Sequence, residues 1–259
     1  MQSQQMRIIT FNIKYDNAED TVNNWNDRKE ELIQLLKYYN PDIFGVQEAL
    51  ANQMNYIDSS LDNYSFIGCG RDDGKTKGEY SAIFFNKDKF EVISDSTIWL
   101  SETMDTGSVG WDAAITRVCT FGLFKHIASG KFFRVFNTHF DHIGKEARVN
   151  SAKLILKTIK EVNVDNLPVI LTGDFNATPE EEPIKLLSFT LNQSKSVSKT
   201  LPYGPDFTFN GFNNKPGNKR IDYIFTKRFS VLNYRVIDDR RNNYKFISDH
   251  FPVMTTIRF

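Results

Sequence analysis

Cysteine is nearly absent from this chain: Cys69 and Cys119 are its two thiols in 259 residues. Two isolated cysteines build neither a disulfide framework nor a zinc site, so both are expected as small buried apolar residues. Long apolar runs are also missing, and no stretch approaches the length of a membrane span. Met1-Gln2-Ser3-Gln4-Gln5 lacks the apolar core of a signal peptide. A signal already removed would leave the same start, so a cytoplasmic and a secreted location both stay open. Net charge is absent too, with Lys plus Arg and Asp plus Glu at 32 each. That balance excludes a protein that coats nucleic acid through a basic stripe, but not an enzyme that grips a few phosphates. No Gly/Ser/Pro-rich linker, low-complexity tract or repeat interrupts the chain. One domain over residues 1–259 is therefore expected, with its core from about residue 6 onward, as a monomer without a stable protein partner.

What is present is aromatic and strand-forming, with 22 Phe and 10 Tyr. Arg7 to Ile13 reads as a strand ending near Asn12. Asn24 to Asp27 offers caps for a helix carrying Leu32, Ile33, Leu35 and Leu36, stopped by Asn40-Pro41. Asp42 to Glu48 is a second short apolar strand, and strand, helix, strand predicts a sheet layered with helices. Tyr64 to Cys69 and Tyr80 to Asn86 read as strands around a polar loop, and Phe90 to Leu100 as a strand pair. The long connection Ser101 to Asp112, with Trp111, is expected to border a binding site. Arg117 to Lys125 and Phe132 to Thr138 form an expected hairpin leading to His139. Ala147 to Val162 is a helix with Leu154, Ile155 and Ile159 as its stripe. Pro168 to Leu171 is a buried strand that stops at Gly173, and Thr178-Pro179-Glu180 turns into a helix start. Thr208-Phe209 suggests a short strand, Gly211 to Lys219 a loop, and Arg220 to Phe225 a strand with Asp222 near its start. Val231 to Ile237 and the segment after Ser248-Asp249-His250 close the chain.

Asp174 and Asn176 stand two apart on an extended chain and so emerge on one side. Asn12, Glu48, His139, Asp174 with Asn176, and Asp249 with His250 all sit at strand ends. Each alone reads as a turn former, a cap or a hydrogen-bonded core group. Five strand ends sharing the feature point to a ligand, because buried charges cost stability unless something balances them. Carboxylate and amide oxygens suit a hard cation such as Mg²⁺, whereas four His and two lone Cys do not make a soft-metal site. Carboxylates, a metal and histidines together fit attack by water on a phosphate ester. No Gly-x-Ser-x-Gly elbow offers a nucleophilic alternative.

Taken together, Thr10-Phe11-Asn12, Gln47-Glu48, Asn137-Thr138-His139, Gly173-Asp174-Phe175-Asn176, Arg220-Ile221-Asp222-Tyr223-Ile224 and Ser248-Asp249-His250 resemble the endonuclease/exonuclease/phosphatase superfamily of DNase I-like fold. They occur in that family's order over nearly the whole chain. The resemblance implies an α/β (α+β) fold, a four-layer αββα sandwich with its site where the strand ends of two sheets meet. It implies a Mg²⁺-dependent hydrolase, with Mn²⁺ as an alternative ion. Glu48 corresponds to the principal metal ligand, with Asn12 and Asp249 nearby. Asp174 corresponds to the acid that orients or deprotonates water, and Asn176 to a phosphate contact. His250 matches the phosphate-side histidine, Asp222 the acid that orients its ring, and His139 a contact to the scissile phosphate. Arg117, and Asn12 again, are implied phosphate contacts.

Lys14 stands where some nucleases of the family carry a second acid, which leans away from the abasic-site repair branch. Trp99-Leu100-Ser101-Glu102, Gly110-Trp111-Asp112-Ala113-Ala114 and Arg117 resemble a bacterial branch of undefined substrate. The expected substrate is a phosphodiester (nucleic acid or a phospholipid headgroup), with a sugar or inositol phosphomonoester as the alternative. A basic patch of Lys14, Arg71, Lys75, Lys77 and Lys219 would favour nucleic acid if their loops converge. A reading of another class is a catalytically silent binding module.

Overall fold

A computed structural model describes residues 5–215 and 217–259. Met1 to Gln4, within the stretch read as lacking a signal-peptide core, and Pro216, inside the loop read from 211 to 219, lie outside them. The chain opens with β1 (Gln5–Asn12), α1 (Lys29–Tyr39) and β2 (Ile43–Gln47), followed by α2 (Ala51–Ser60), β3 (Tyr64–Ile67) and β4 (Ile83–Asn86). A second group follows: β5 (Phe90–Trp99), β6 (Val118–His126), β7 (Phe132–His139), α3 (Lys145–Val162), β8 (Val169–Asp174) and α4 (Glu182–Thr190). The remainder is β9 (Asn192–Gln193), α5 (Ser194–Val197), β10 (Asp222–Lys227), β11 (Ser230–Val236) and β12 (Val253–Arg258).

The strands form two six-stranded sheets, ordered β11-β12-β1-β2-β4-β3 and β5-β6-β7-β8-β10-β9. Each sheet contains one parallel pair, β1 with β2 and β7 with β8, joined through α1 and α3. The side-chain period of two then makes four layers. On β1, Ile9 and Phe11 pack with α1 and α2, while Met6 and Ile8 pack against the other sheet. On β8, Val169 and Leu171 face α3 and α4, while Ile170 faces the sheet interface. Three apolar cores therefore separate four layers, as the αββα expectation required.

The inward-facing stripes change character along their length. β1 reads Met6, Ile8, Thr10, Asn12 on that side; β7 reads Phe133, Val135, Asn137, His139; β8 reads Ile170, Thr172, Asp174. Each begins apolar and ends polar, so one end of the sheet interface is a core and the other a polar floor. Asn137 spans the gap there. Its Nδ2 donates to Val46 O and Ala82 O (2.9 Å each), and its Oδ1 accepts from Gln47 Nε2 (2.7 Å) and Thr172 Oγ1 (3.0 Å).

Several local expectations need correction. Phe90 to Leu100 is one ten-residue strand with an irregularity between Val92 and Ser94, not a pair. The helix α2 was not anticipated: its buried positions, Gln53, Met54 and Ile57, are too few and too polar to give a visible stripe. Thr208-Phe209 makes an isolated bridge to His250 rather than a strand. Asn24 caps a single 3-10 turn (Trp25–Asp27) that precedes α1. α4 begins at Glu182, with Pro183 in its first turn, slightly later than read. Cys119 is buried as expected, but Cys69 is only half-buried.

Gly45 faces Asn137 across the interface. A Cβ there would lie 2.5 Å from Asn137 Oδ1 and 2.6 Å from Thr172 Oγ1. Gly45→Ala is therefore expected to lower stability by about 1–3 kcal/mol through overpacking, measured by urea unfolding. An unchanged midpoint would show that the sheets have slack at this point.

Candidate active site

The polar stripe ends meet in one cavity of about 710 Å³. Glu48, His139, Asp174, Asn176, Asp249, His250 and Arg117 all line it. Asn12 and Asp222 stand directly behind this wall, hydrogen-bonded to residues that line it. Cross-strand register explains the row at its base, since His139, Asp174 and Asp222 are paired neighbours on β7, β8 and β10. The parallel pairs point their C-terminal ends at the same spot, the usual place for a ligand in such sheets.

Asn12 joins the two sheets chemically. Its Nδ2 donates to Glu48 Oε1 (3.0 Å) and to Asp174 Oδ2 (2.9 Å), while its Oδ1 accepts from Lys14 N (3.1 Å). The amide therefore turns its nitrogen to the carboxylates. Glu48 sits just past β2 in the left-handed region (φ 63°), and Tyr15 N donates to its Oε2 (3.1 Å). Lys14 Nζ lies 3.9 Å from Glu48 Oε2 and 3.8 Å from Asp249 Oδ2, between the two acids. Burial raises the Glu48 carboxyl, but Lys14 and His250 outweigh it and hold the group below its ordinary value. Asp249 is raised by burial and by Glu48. Buried Arg28 fixes this corner, donating to Ile13 O (2.8 Å), Lys14 O (3.1 Å) and Ile247 O (2.9 Å) from both flanking segments.

Asp174 is fully buried in chemical terms, and burial together with Asp222 pushes its carboxyl up to about 7. Its oxygens accept from Asn176 N (2.9 Å) and Asn12 Nδ2. His250 Nδ1 lies 2.9 Å from Asp222 Oδ2, and its Nε2 lies 3.7 Å from Asp174 Oδ2. Burial pulls the His250 ring down, but the charges of Asp222 and Asp174 raise it well above 6.5. His139 behaves in the opposite way: burial and the Arg117 and Arg71 charges keep it well below 6.5, hence neutral. Asn176 Nδ2 contacts His139 Nε2 (3.1 Å) and Phe140 O (2.9 Å), so that Nε2 accepts and Nδ1 carries the proton. Both amide hydrogens of Asn176 are thus engaged, one by His139 and one by the Phe140 carbonyl. Nδ1 of His139 and the terminal Nη1 of Arg117 have no hydrogen-bond partner among the described residues although both are buried.

Sequence reasoning missed Glu79, Asp141, His142, Arg148 and Glu181. Glu79 pairs with Arg71 through two contacts of 2.7 and 3.0 Å, which takes Arg71 out of the anticipated basic patch. Of that patch, Lys14 and Lys219 reach the cavity. Asp141 anchors the opposite wall: its Oδ2 accepts from Gly144 N (2.7 Å) and Ile143 N (3.0 Å), and its Oδ1 lies 3.5 Å from Arg117 Nε. The adjacent pair Asp141-His142, directly after the Asn137-Thr138-His139 strand end, was the available signal. No residue of the 101–112 connection lines the cavity, which the chain reaches only afterwards at Ile115 and Arg117, and the Trp111 backbone N–H donates to Glu102.

Two acidic groupings invite a cation. Asp174, Asp222 and His250 have ligand atoms within 4.8 Å of one another. In that trio His250 is cationic and its Nδ1 is committed to Asp222, so it suits proton transfer better than metal ligation. Glu48 and Asp249 both border the cavity on either side of Lys14 Nζ, and their carboxylate oxygens are the donor type a hard dication takes.

Comparison with known proteins shows the family and the fold. The sequence profile described as "Endonuclease/Exonuclease/phosphatase family" matches residues 9–250. A crystal structure of an endonuclease/exonuclease/phosphatase from Bacteroides vulgatus superposes with a TM-score of 0.94 at 39% identity, covering 99% of each chain. The mannosyl-6-phosphatase of Bacteroides thetaiotaomicron is 39% identical, with a TM-score of 0.94 and coverage of 98% of this chain and 100% of that one. The probable RNA exonuclease NGL3 of Saccharomyces cerevisiae is 31% identical over 61% of this chain, which spans 33% of that protein's length.

The Asp222–His250 contact has a direct readout. In Asp222→Asn the His250 titration midpoint, followed by NMR of the imidazole ring, is expected to fall from well above 6.5 toward or below it. Because folding raises this pKa, the pair's stabilisation is complete below pH 6.5 and is lost as pH rises through the folded value. An unmoved midpoint would mean that Asp222 does not hold the imidazolium.

Proposed function

This chain belongs to the endonuclease/exonuclease/phosphatase family, whose members are phosphate-ester hydrolases, and on that premise we propose that it is a divalent-metal-assisted phosphomonoesterase acting on a small hydroxylated phosphate such as a sugar phosphate. The observation that carries the reading is the charge of the cavity wall. Glu48, Glu79, Asp174, Glu181 and Asp249 face Lys14, Arg117, Arg148, Lys219 and the His250 imidazolium, five acidic groups against five cationic ones, so the wall has no cationic excess. A nucleic-acid strand crossing such a wall meets carboxylates where it needs cations, while a single phosphate with a neutral alcohol does not. The likeness to a mannosyl-6-phosphatase over nearly the whole of both chains supports the same choice. A phosphodiesterase, the substrate class that the sequence put first, is the second reading, favoured by the likeness to a probable RNA exonuclease.

In this reading Glu48 and Asp249 hold the ion, Mg²⁺ or Mn²⁺, which when bound would neutralise phosphoryl charge and polarise the ester. Asn12 keeps Glu48 and Asp174 in fixed relation. Asp174, with a pKa about 7, accepts the proton of the attacking water, and Asn176 N and Asn12 aim its oxygens. His250 stays protonated beside Asp222 and supplies a proton to the phosphoryl oxygen or departing alcohol. The unpartnered donors, Arg117 Nη1 and His139 Nδ1, take phosphoryl oxygens. Asn176 acts on the phosphate through His139, whose tautomer it sets.

Asp174→Asn is expected to lower kcat by about 10²–10⁴-fold with the fold retained, measured as phosphate release against far-UV and near-UV dichroism. Near-normal turnover would remove Asp174 as the base. Glu48→Gln is expected to weaken Mg²⁺ binding roughly tenfold or more in titration calorimetry. An unchanged isotherm would place the ion elsewhere.

A further inference from the structure

Beyond the phosphate-handling groups, the cavity has a second wall that the chemistry above does not use. It is built by the start of α3 and the turn before α4. Arg148 extends from the first turn of α3, its side chain 7% exposed, and donates to Asp141 O (3.2 Å) and Glu181 Oε1 (3.4 Å). Glu181 immediately precedes α4, and its Oε2 accepts from Thr178 N (2.7 Å). Arg148, Glu181 and Thr178 line the same cavity as Asp174 and His250, with Ile115 and Phe209 as apolar surface.

We propose that Arg148 and Glu181 form a hydroxyl-reading pair that selects a polyol, specifically a sugar, as the alcohol portion of the substrate. This rests on the phosphomonoester reading above and adds the residues that choose its alcohol. The pair is poorly suited to a second phosphate. Glu181 cancels the Arg148 charge, and its carboxylate, 39% exposed, presents anionic oxygen to whatever enters. Neutral hydroxyls match it, because each both donates and accepts: a carboxylate oxygen takes the O–H, and a guanidinium N–H reaches the hydroxyl oxygen. The pair is also held in advance. Thr178 N fixes the carboxylate and Asp141 O fixes the guanidinium, and Asp141 in turn stands 3.5 Å from Arg117 Nε. The wall that reads hydroxyls is therefore continuous with the arginine assigned to the phosphate. A cavity near 710 Å³ lies within the roughly 300–1,000 Å³ usual for small-molecule sites and has room for a sugar beside the phosphoryl group.

The test compares two monoesters of similar size: mannose 6-phosphate, and cyclohexylmethyl phosphate, which lacks the ring hydroxyls. Steady-state kcat and KM are measured with Mg²⁺ for the wild type, Glu181→Gln and Arg148→Lys. The wild type is expected to favour the sugar ester. In Glu181→Gln the ratio of the two kcat/KM values should fall by about tenfold or more, carried mainly by KM for the sugar. Arg148→Lys should move the ratio in the same direction. Equal losses on both esters in both variants would make the pair a structural ion bridge and overturn the proposal. Phosphate release from neither ester by the wild type would instead overturn the phosphomonoester reading and, with it, the role of the pair.

Discussion

The side chain of Asn137 sets the relation between the two sheets, and the site depends on that relation. An interface of Ile8, Ile43, Val135, Ile170 and Ile224 alone would stabilise the sandwich without fixing how far one sheet slides along the other, because apolar burial has no direction. Asn137 adds direction. It is fully buried, donates to two carbonyls of the other sheet and its flank, and accepts from Gln47 of that sheet and Thr172 of its own. Misaligning the sheets would strand several buried polar groups at once, each costing about 1–3 kcal/mol. Gly45 leaves the space that lets the amide cross.

With the sheets fixed, the electrostatics follow. Asn12 on one sheet reaches Asp174 on the other at 2.9 Å, so the sides meant for the ion and for the water share one hydrogen-bonding amide. Two histidines in the same cavity are held in opposite protonation states. The charges of Asp222 and Asp174 overcome burial and hold His250 as imidazolium, while burial, with Arg117 and Arg71, holds His139 neutral. In the proposed function that separation supplies an acid, a neutral donor and a carboxylate base in one cavity. The accumulated acid is offset by Lys14 and, in the proposed function, by a divalent ion.

Much of this was legible in the sequence because strands have a short period. The polar ends of β1, β7, β8 and β10 are visible as residues that break an apolar run, and the motif order made the αββα sandwich readable. The second wall was not legible, since Arg148 and Glu181 come from a helix start and a helix cap distant in sequence, and Glu79 was hidden in a loop. Charged residues at such positions look like ordinary solvated surface. The roles of Asn176 and Arg71 were hidden for a related reason. Each residue type suits phosphate, but the partner it finds locally, His139 for one and Glu79 for the other, is a property of the fold. α2 escaped because its buried face is short and contains Gln53.

An ion held by Glu48 and Asp249 leaves Asp174, Asp222 and His250 free to move protons. Anomalous scattering from a crystal soaked in Mn²⁺ and inorganic phosphate locates it. A single strong peak in contact with Glu48 and Asp249, with the phosphate facing Arg117 and His139, is expected of this arrangement. A peak enclosed by Asp174, Asp222 and His250 would contradict it, because the base and the acid assigned here would then be metal ligands.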